Sequence, residues 1–463
     1  MKYKLPFGTH GIRGNSSLPP FTQRHLHALG QALELFLEAK KFPKTILFGS
    51  DTRASCPQIK QFLSQGFSST THIQSAQNLP TPALIQILKK NLEIGLGIMI
   101  TASHNPAHDN GLKFFLQEGK DLSTDDENLI QSFFSISFSS PYPYQESFYK
   151  ESLYPSAFME YFTQIKKKFA PQFLNGLRIG LDCANGAISE YAPVIFKHFG
   201  AQIYTINTKP DGQNINKNCG SNHPDELKAL VLVNKLFCGF AFDGDGDRVV
   251  AISSTGELNN GDDILAMIAT NPIRKKQGPV IGTIASNSGL KKYLEKNSLS
   301  FLASNVGENQ VIKLMHEHSS NLGGEPSGHI IIKEYMMASD GIFTALALLD
   351  SILVNNNFSL SSFEHYPQAS KNILTQIKPP LSTPELKEII DSFTEIYPQS
   401  SILIRYSGTE PLMRISVEAP TMDEAATISQ QLETKITTIL KDLTKKTSAP
   451  NVELKNECHT LSN

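Results

Sequence analysis

The sequence predicts an α/β protein of several domains, and three observations carry that prediction. Short apolar runs ending in Gly, Asn, Asp or Ser turns alternate with stretches of helical spacing, the pattern of strand–helix units with largely parallel strands. Residues with chemistry recur where those runs end, at the carboxyl ends of strands where open α/β sheets gather ligands. A chain of 463 residues is long enough for several cores at about 100–200 residues per domain.

Along the chain, KTILFGSD (44–51) reads as a strand leading to the helix PQIKQFLSQGF, and GLGIMI (95–100) as a buried strand entering TASHNPAHDNGLKFF (101–115). FSISFSSPYPYQESFYKESLYP (134–155) interrupts the rhythm and is expected to strap one domain to the next. LRIGLDCANG (177–186) leads to AISEYAPVIFKHFG, and LFCGFAFDGDGD (236–247) and GPVIGTIASNSG (278–289) end in the same kind of turn. At IKPPLSTPELKEII, Pro379 and Pro380 precede a helix that Thr383 is expected to cap and Pro384 to begin. Beyond it the pattern becomes α+β. Strands SILIRY and LMRISVEA precede a helix with Thr421 and Glu424 as a capping box and Ile428, Leu432, Ile436 and Ile439 on one face. The expected divisions are 1–150, 151–256, 257–370 and 371–446, with a loose polar tail over 447–463 and a hinge over 370–382.

Composition narrows the class. A charged fraction of 19% and a net charge of −2 give no global field for nucleic acid or an anionic membrane, so any polyanion site must be local. The N-terminus lacks an apolar h-region and no run of eighteen apolar residues occurs, which leads us to expect a cytoplasmic protein. The five cysteines (Cys56, Cys183, Cys219, Cys238, Cys458) are scattered without CxxC spacing and read as reduced packing residues.

Four segments carry chemistry. In AFDGDGDR (241–248), glycines between Asp243, Asp245 and Asp247 let the carboxylates converge, and hard oxygen ligands in that number suit Mg²⁺. Arg248 and Ser254 stand where an EF-hand needs Gly and Glu, and Val249 stands where a dinucleotide fingerprint needs its third Gly. An ordinary acidic turn is the bland alternative, weakened because three converging carboxylates repel without a cation. Ser103, beside His104, is a nucleophile, a phosphate carrier or a turn residue near Pro106. No G-x-S-x-G elbow surrounds it or Ser327. RYSGTEPLMR (405–414) places Arg405 with Ser407, Gly408 and Thr409 in a turn fit for a phosphate monoester, against the alternative of a surface turn with a salt-bridged arginine. LGGEPSGHI (322–330) offers Glu325 and Ser327 to hydroxyl groups and His329 as a cation or proton carrier, a histidine that alone would read as structural. A phosphoryl group on Ser103 of about −2, three aspartates and one Mg²⁺ leave about −3. Arg13, Lys113 and Arg248 are the cations at hand, and phosphoryl transfer is mostly positioning and neutralisation.

TASHNP, DGDGDR, GGEPSGH and RYSGTEP, in this order and preceded by FGTHGIRG, resemble the phosphohexomutase superfamily over nearly the whole chain. SHNPAHDNGLKFF, LDCANGA and PDGQNINKNCGSNHPDELKALV (210–231) are most similar to its bacterial phosphoglucosamine mutase branch. His10 and the Ser50 before Asp51-Thr52-Arg53 depart from that pattern. The resemblance implies three related mixed α/β domains plus a smaller α+β C-terminal domain around a central cleft. In order they would carry the phosphoserine, the metal loop, the sugar loop and the phosphate loop. It implies an isomerase that interconverts glucosamine 6-phosphate and glucosamine 1-phosphate through phospho-Ser103 and a hexosamine 1,6-bisphosphate, on the route to UDP-N-acetylglucosamine and cell-wall precursors. One Mg²⁺ per chain would be held by Ser103, Asp243, Asp245 and Asp247. Arg13, His104, Lys113, Arg248 and His329 would serve the chemistry, while Glu325, Ser327, Arg405, Ser407, Gly408 and Thr409 bind substrate. The partner would be a small sugar phosphate, neither nucleic acid nor membrane, and the chain a monomer or homodimer. The rivals are a phosphomannomutase/phosphoglucomutase, a metal-dependent sugar phosphatase and a non-catalytic sugar-phosphate sensor.

Overall fold

The computed structural model describes residues 3–8, 11–140, 151–272, 277–355, 360, 362–375, 377–406 and 411–448. The chain forms two compact units and passes from one to the other between Glu364 and His365. Three sheets lie in the first unit and one in the second.

The first sheet has seven strands in the order Phe7–Gly8, Gly11–Asn15, Asp109–Leu116, Leu96–Ile100, Thr45–Ser50, His72–Asn78, Glu151–Leu153. From Leu96–Ile100 onward neighbours are parallel, and on its other side they are antiparallel. Every residue of Leu96–Ile100 is buried, so the strand shows no polar alternation. The second sheet runs Leu258–Asn259, Val249–Ser253, Cys238–Phe242, Arg178–Asp182, Gln202–Ile206, and the third Phe301–Ser304, Val280–Thr283, Leu322–Gly324, Ile330–Ile332.

One plan repeats in all three. A parallel set ends in a strand whose antiparallel neighbour follows it directly in the chain, and the chemically marked loop is that connection. It is residues 101–108 between Leu96–Ile100 and Asp109–Leu116, 243–248 between Cys238–Phe242 and Val249–Ser253, and 325–329 between Leu322–Gly324 and Ile330–Ile332.

Helices fill the space between sheets according to their pattern. Every residue of Thr81–Leu88 (TPALIQIL) and Gly261–Ala269 (GDDILAMIA) is buried, as are most of Gly341–Val354, because apolar side chains on all sides leave no face for solvent. Gln23–Lys40 is amphipathic instead, burying Leu26, Leu29, Leu33, Phe36 and Leu37.

The second unit is a three-stranded antiparallel sheet, Gln368–Leu374, Leu412–Glu418, Ser401–Tyr406, with helices Pro384–Ile396 and Met422–Ser448. Ile428, Leu432 and Ile436 are fully buried and Ile439 packs partly against them, as the helical spacing predicts.

Several local expectations need correction. Residues 134–139 are not a strap: they complete the helix Thr124–Ser139, begun by a Ser123/Asp126 capping box, and Phe134 is buried while Phe138 packs against Tyr3. Glu151–Leu153 then adds a strand to the first sheet, while residues 141–150 lie outside the described residues. The unit boundary comes at 364/365, earlier than the expected hinge, because Gln368–Leu374 already pairs along its length with Leu412–Glu418. Thr383 does stand at the N-cap, but its hydroxyl donates to the Pro380 carbonyl and leaves the helix uncapped by a side chain. Of the Thr421/Glu424 box, the Glu424 N–H donating to Thr421 Oγ1 is present. The final helix continues to Ser448, and the rest of the expected tail lies outside the described residues. Cys56, Cys183, Cys219 and Cys238 are buried and free, and Cys458 lies outside the described residues.

Candidate active site

Ser103 sits where the first sheet delivers it, three residues past the end of the strand Leu96–Ile100, and it is fully buried. Its φ of 52° is left-handed, a conformation that costs a non-glycine residue about 1 kcal/mol and persists only when its surroundings enforce it. The Ser103 hydroxyl donates to Asp243 Oδ2 at 2.6 Å, joining the first loop to the second. His104 Nδ1 lies 3.3 Å from Ser103 Oγ. Burial, with Arg248 and Arg13 nearby, pushes His104 down to about 2, so its imidazole is neutral.

Asp243, Asp245 and Asp247 converge as the glycine spacing predicts: each offers an oxygen within 4.8 Å of the others, and all are buried. Their environments divide them. Burial and the other two carboxylates push Asp243 up to about 7, against the pull of Arg248. Burial also raises Asp247, but Lys113, His329 and Arg248 outweigh it and hold that carboxyl well below its ordinary value. Lys113, from the strand Asp109–Leu116, donates at 2.7 Å to both Asp245 Oδ2 and Asp247 Oδ2. Burial pulls Lys113 down, yet these two carboxylates raise it above an ordinary lysine. Asp245 Oδ2 also accepts the Thr81 hydroxyl at 2.5 Å, and Thr81 N–H donates to the Asp245 carbonyl at 3.0 Å, placing the carboxylate at a helix N-terminus. Asp245 Oδ1 is buried and has no hydrogen-bond partner among the described residues. An orphaned, buried carboxylate oxygen inside a trio of carboxylates is what a divalent cation site requires, so the residues fit a metal ion.

The third loop closes the cluster. His329 presents Nδ1 to Glu325 Oε2 and Nε2 to Asp247 Oδ1, each at 3.1 Å. Two carboxylates facing two ring nitrogens need two N–H donors, so the ring is charged: burial and Arg248 lower it, but Asp247 and Glu325 raise it to about 10. Arg248 Nε lies 3.1 Å from His329 Nε2 and 4.0 Å from Asp243 Oδ2, joining the third loop to the first of the three aspartates. Arg13 stands in the field of all three aspartates. Glu325 is committed to His329 and to the Gly307 N–H at 2.8 Å, leaving only its remaining lone pairs for a ligand, whereas Ser327 is exposed at the tip of the loop.

Lys113, Arg13, Arg248 and His329 thus face Asp243, Asp245, Asp247 and Glu325. Adding a phosphoserine of about −2 and a divalent cation keeps that balance. Arg405 belongs to the strand Ser401–Tyr406 of the second unit, while Ser407, Gly408 and Thr409 lie outside the described residues, as does His10.

Sequence reasoning missed the residues that hold this constellation. The sequence singles out neither Thr81 nor Asn216, and names Asp51 and Arg53 only beside the departing Ser50. Asp51 and Arg53 form a fully buried pair whose Nε–Oδ2 distance is 2.8 Å, and Arg53 also donates to the carbonyls of Ser103 at 3.0 Å, Asn105 at 2.8 Å and Asp109 at 3.0 Å. No local periodicity marks such long-range partners.

Among the described residues Ser103 bonds directly to Asp243 and no acid hydrogen-bonds the His104 ring beside it, so the serine–histidine–acid relay of a hydrolase is not formed. The site instead sets a buried carboxylate trio that could hold a divalent cation directly against a serine hydroxyl, a donor set of the kind metal-dependent enzymes use. Residues 4–139, 156–256 and 260–368 match the models for phosphoglucomutase/phosphomannomutase alpha/beta/alpha domains I, II and III, and 368–435 that for the C-terminal domain. Phosphoglucosamine mutase of Granulibacter bethesdensis is 36% identical over 90% of this chain and 93% of its own. That of Nautilia profundicola is 37% identical over 92% and 98%. The chain therefore belongs to the phosphoglucosamine mutase family of phosphohexomutase isomerases. In fold it is similar to a phosphoglucomutase/phosphomannomutase family protein from Burkholderia thailandensis (TM-score 0.77, 20% identity, covering 95% of this chain and 98% of that one). It is also similar to Aspergillus fumigatus N-acetylphosphoglucosamine mutase in complex with GlcNAc-6P and magnesium (TM-score 0.63, 15% identity, covering 95% and 96%).

Proposed function

We propose that the protein is a cytoplasmic enzyme that interconverts glucosamine 6-phosphate and glucosamine 1-phosphate, with Ser103 as the phosphoryl carrier. The observation that carries this reading is the 2.6 Å contact between Ser103 Oγ and Asp243 in a buried carboxylate trio, within a chain whose relatives bear that activity's name. A Mg²⁺ held by Asp243, Asp245, Asp247 and phospho-Ser103 would neutralise charge on the transferring phosphoryl group.

In the forward direction the bond from phosphorus to Ser103 Oγ breaks as one to the sugar 1-hydroxyl oxygen forms, giving the 1,6-bisphosphate and releasing the hydroxyl proton to solvent, and the 6-oxygen takes up a proton when its phosphoryl group leaves in the return step. The bisphosphate turns over, its 6-phosphoryl group returns to Ser103, and glucosamine 1-phosphate departs. Lys113, Arg13, Arg248 and His329 neutralise the equatorial oxygens, and Lys113 and His329, fixed by carboxylates, need no reorganisation as charge develops. Neutral His104, 3.3 Å from Ser103 Oγ, is placed to hydrogen-bond a phosphoryl group there, while the Ser103 proton already points to Asp243 Oδ2. Ser327 and the free lone pairs of Glu325 hold sugar hydroxyls in both orientations. Arg405, with Ser407, Gly408 and Thr409, takes the phosphate that is not reacting and supplies remote binding energy.

A coupled assay of the purified protein with Mg²⁺ on glucosamine, glucose and mannose 1-phosphates tests the substrate. The reading expects the highest kcat/KM on the amino sugar. A preference for glucose or mannose would reassign the chain to the phosphoglucomutase/phosphomannomutase activity, and release of inorganic phosphate without isomer would make it a phosphatase.

A further inference from the structure

We propose that Asn216 is a positioning residue for Ser103, its side-chain amide tying the serine loop to the layer that carries the metal loop and so fixing Ser103 Oγ against Asp243. The inference rests on the reading of Ser103 as the phosphoryl carrier.

A left-handed serine has to be held from outside. Its N–H is held by Thr101 Oγ1 at 2.9 Å, and that hydroxyl in turn donates to Asp51 Oδ2 at 2.7 Å. The carbonyls of Ser103 and Asn105 each accept two donors. Arg53 Nη2 reaches them at 3.0 and 2.8 Å from the same sheet. Asn216 Nδ2 reaches them at 2.8 and 3.0 Å from the layer of the second sheet. Two carbonyls can be served only by the amide nitrogen, which fixes the orientation of the Asn216 side chain.

Asn216 is itself anchored beside the metal loop. Its N–H donates to the Ala184 carbonyl at 2.9 Å, and its φ of 56° is left-handed. A Cβ on Gly244 would stand 2.9 Å from Asn216 Nδ2 and 2.6 Å from the Ser103 carbonyl, so the Gly244 backbone, the Ser103 carbonyl and the Asn216 amide meet at one point that only glycine admits. Other bonds dock the two layers without touching the serine: Thr52 Oγ1 to the Asn185 carbonyl at 2.6 Å, Ala54 N–H to the Gly212 carbonyl at 2.9 Å, and Thr81 to Asp245. Removing the amide therefore leaves the layers docked and frees only the registry of Ser103. Asn216 is half-buried, and it reaches the reacting hydroxyl only through the backbone.

Two variants test this. Asn216→Gly keeps the left-handed backbone and removes the amide. Asn216→Asp keeps shape and backbone tolerance but turns an acceptor toward two carbonyls. We expect kcat to fall about tenfold to a hundredfold, more for Asp than for Gly, with KM for the sugar phosphate within about twofold of wild type. The rate at which hexose 1,6-bisphosphate phosphorylates Ser103, read by intact mass, should fall in parallel, while the melting midpoint of Asn216→Gly stays near wild type. Should that variant melt low, Asn216→Asp decides by the same readouts. A kcat within about twofold of wild type in the variants, or a change confined to KM or to melting, overturns the proposal. Ser103→Ala run alongside separates the two claims: full turnover there removes the carrier reading itself, whereas its loss together with unaffected Asn216 variants sinks only this inference.

Discussion

At the scale of single residues, the site works by dividing the two oxygens of one carboxylate. Asp245 gives Oδ2 to Thr81 and Lys113 and keeps Oδ1 free in a buried setting, so the unpaired oxygen is aimed before any cation arrives. Thr81→Val preserves shape and deletes the hydroxyl that fixes this orientation. The Mg²⁺ concentration for half-maximal activity should rise about tenfold or more, as for other groups that orient metal ligands, with little change in KM for the sugar phosphate. A magnesium titration checks it, and an unchanged half-saturation would show that Lys113 alone orients Asp245. The aspartates were legible because three acids spaced by glycine have few other uses. Thr81 was not, because a Thr-Pro pair before an apolar run already has a sufficient explanation as a helix start.

At the scale of elements, three connections of the same kind bring together loops far apart in sequence. Leu96–Ile100 and Cys238–Phe242 were visible as short apolar runs, but their antiparallel partners and the repeated plan were not, because pairing direction leaves no trace in periodicity. Helix starts support these loops as well: Gly341 N–H donates to the Gly246 carbonyl at 3.0 Å, and a Cβ at Gly341 would meet the Arg248 carbonyl at 2.6 Å. Where composition stood in for pattern, the sequence reading strayed. Residues 134–139, rich in Ser and Phe, looked like a connection, yet Phe134 and Phe138 fall one helical turn apart and stack at 5.4 Å.

At the scale of the whole molecule, or as much of it as the first unit contains, the three layers share a second polar joint, centred on Asp340. Asp340 accepts both Tyr161 at 3.0 Å and Tyr335 at 3.2 Å, as well as the Phe343 N–H at 2.9 Å, while Gln86 of the first layer bonds Tyr335. Burial pushes Asp340 up to about 6 in spite of these donors. Its folded value exceeds the unfolded one of about 4, so the folded protein keeps a proton that the unfolded chain has released between those values. That contribution is full below about pH 4 and lost as pH rises through about 6. Asp340→Asn, which retains an acceptor but cannot titrate, should therefore gain on wild type by about 2 kcal/mol between pH 4 and 7. Urea midpoints at the two pH values measure it, and a gap that does not change with pH would contradict the assignment. No sequence pattern announces this joint, whose members stand on three separate layers. The central claim remains the shuttle at Ser103, and intact mass tests it most directly. After incubation with a hexose 1,6-bisphosphate and Mg²⁺, the wild type should carry one phosphoryl group. Ser103→Ala should carry none and lose turnover by at least about a thousandfold. A phosphorylated Ser103→Ala protein, or one that still isomerises its substrate at the wild-type rate, would contradict the account.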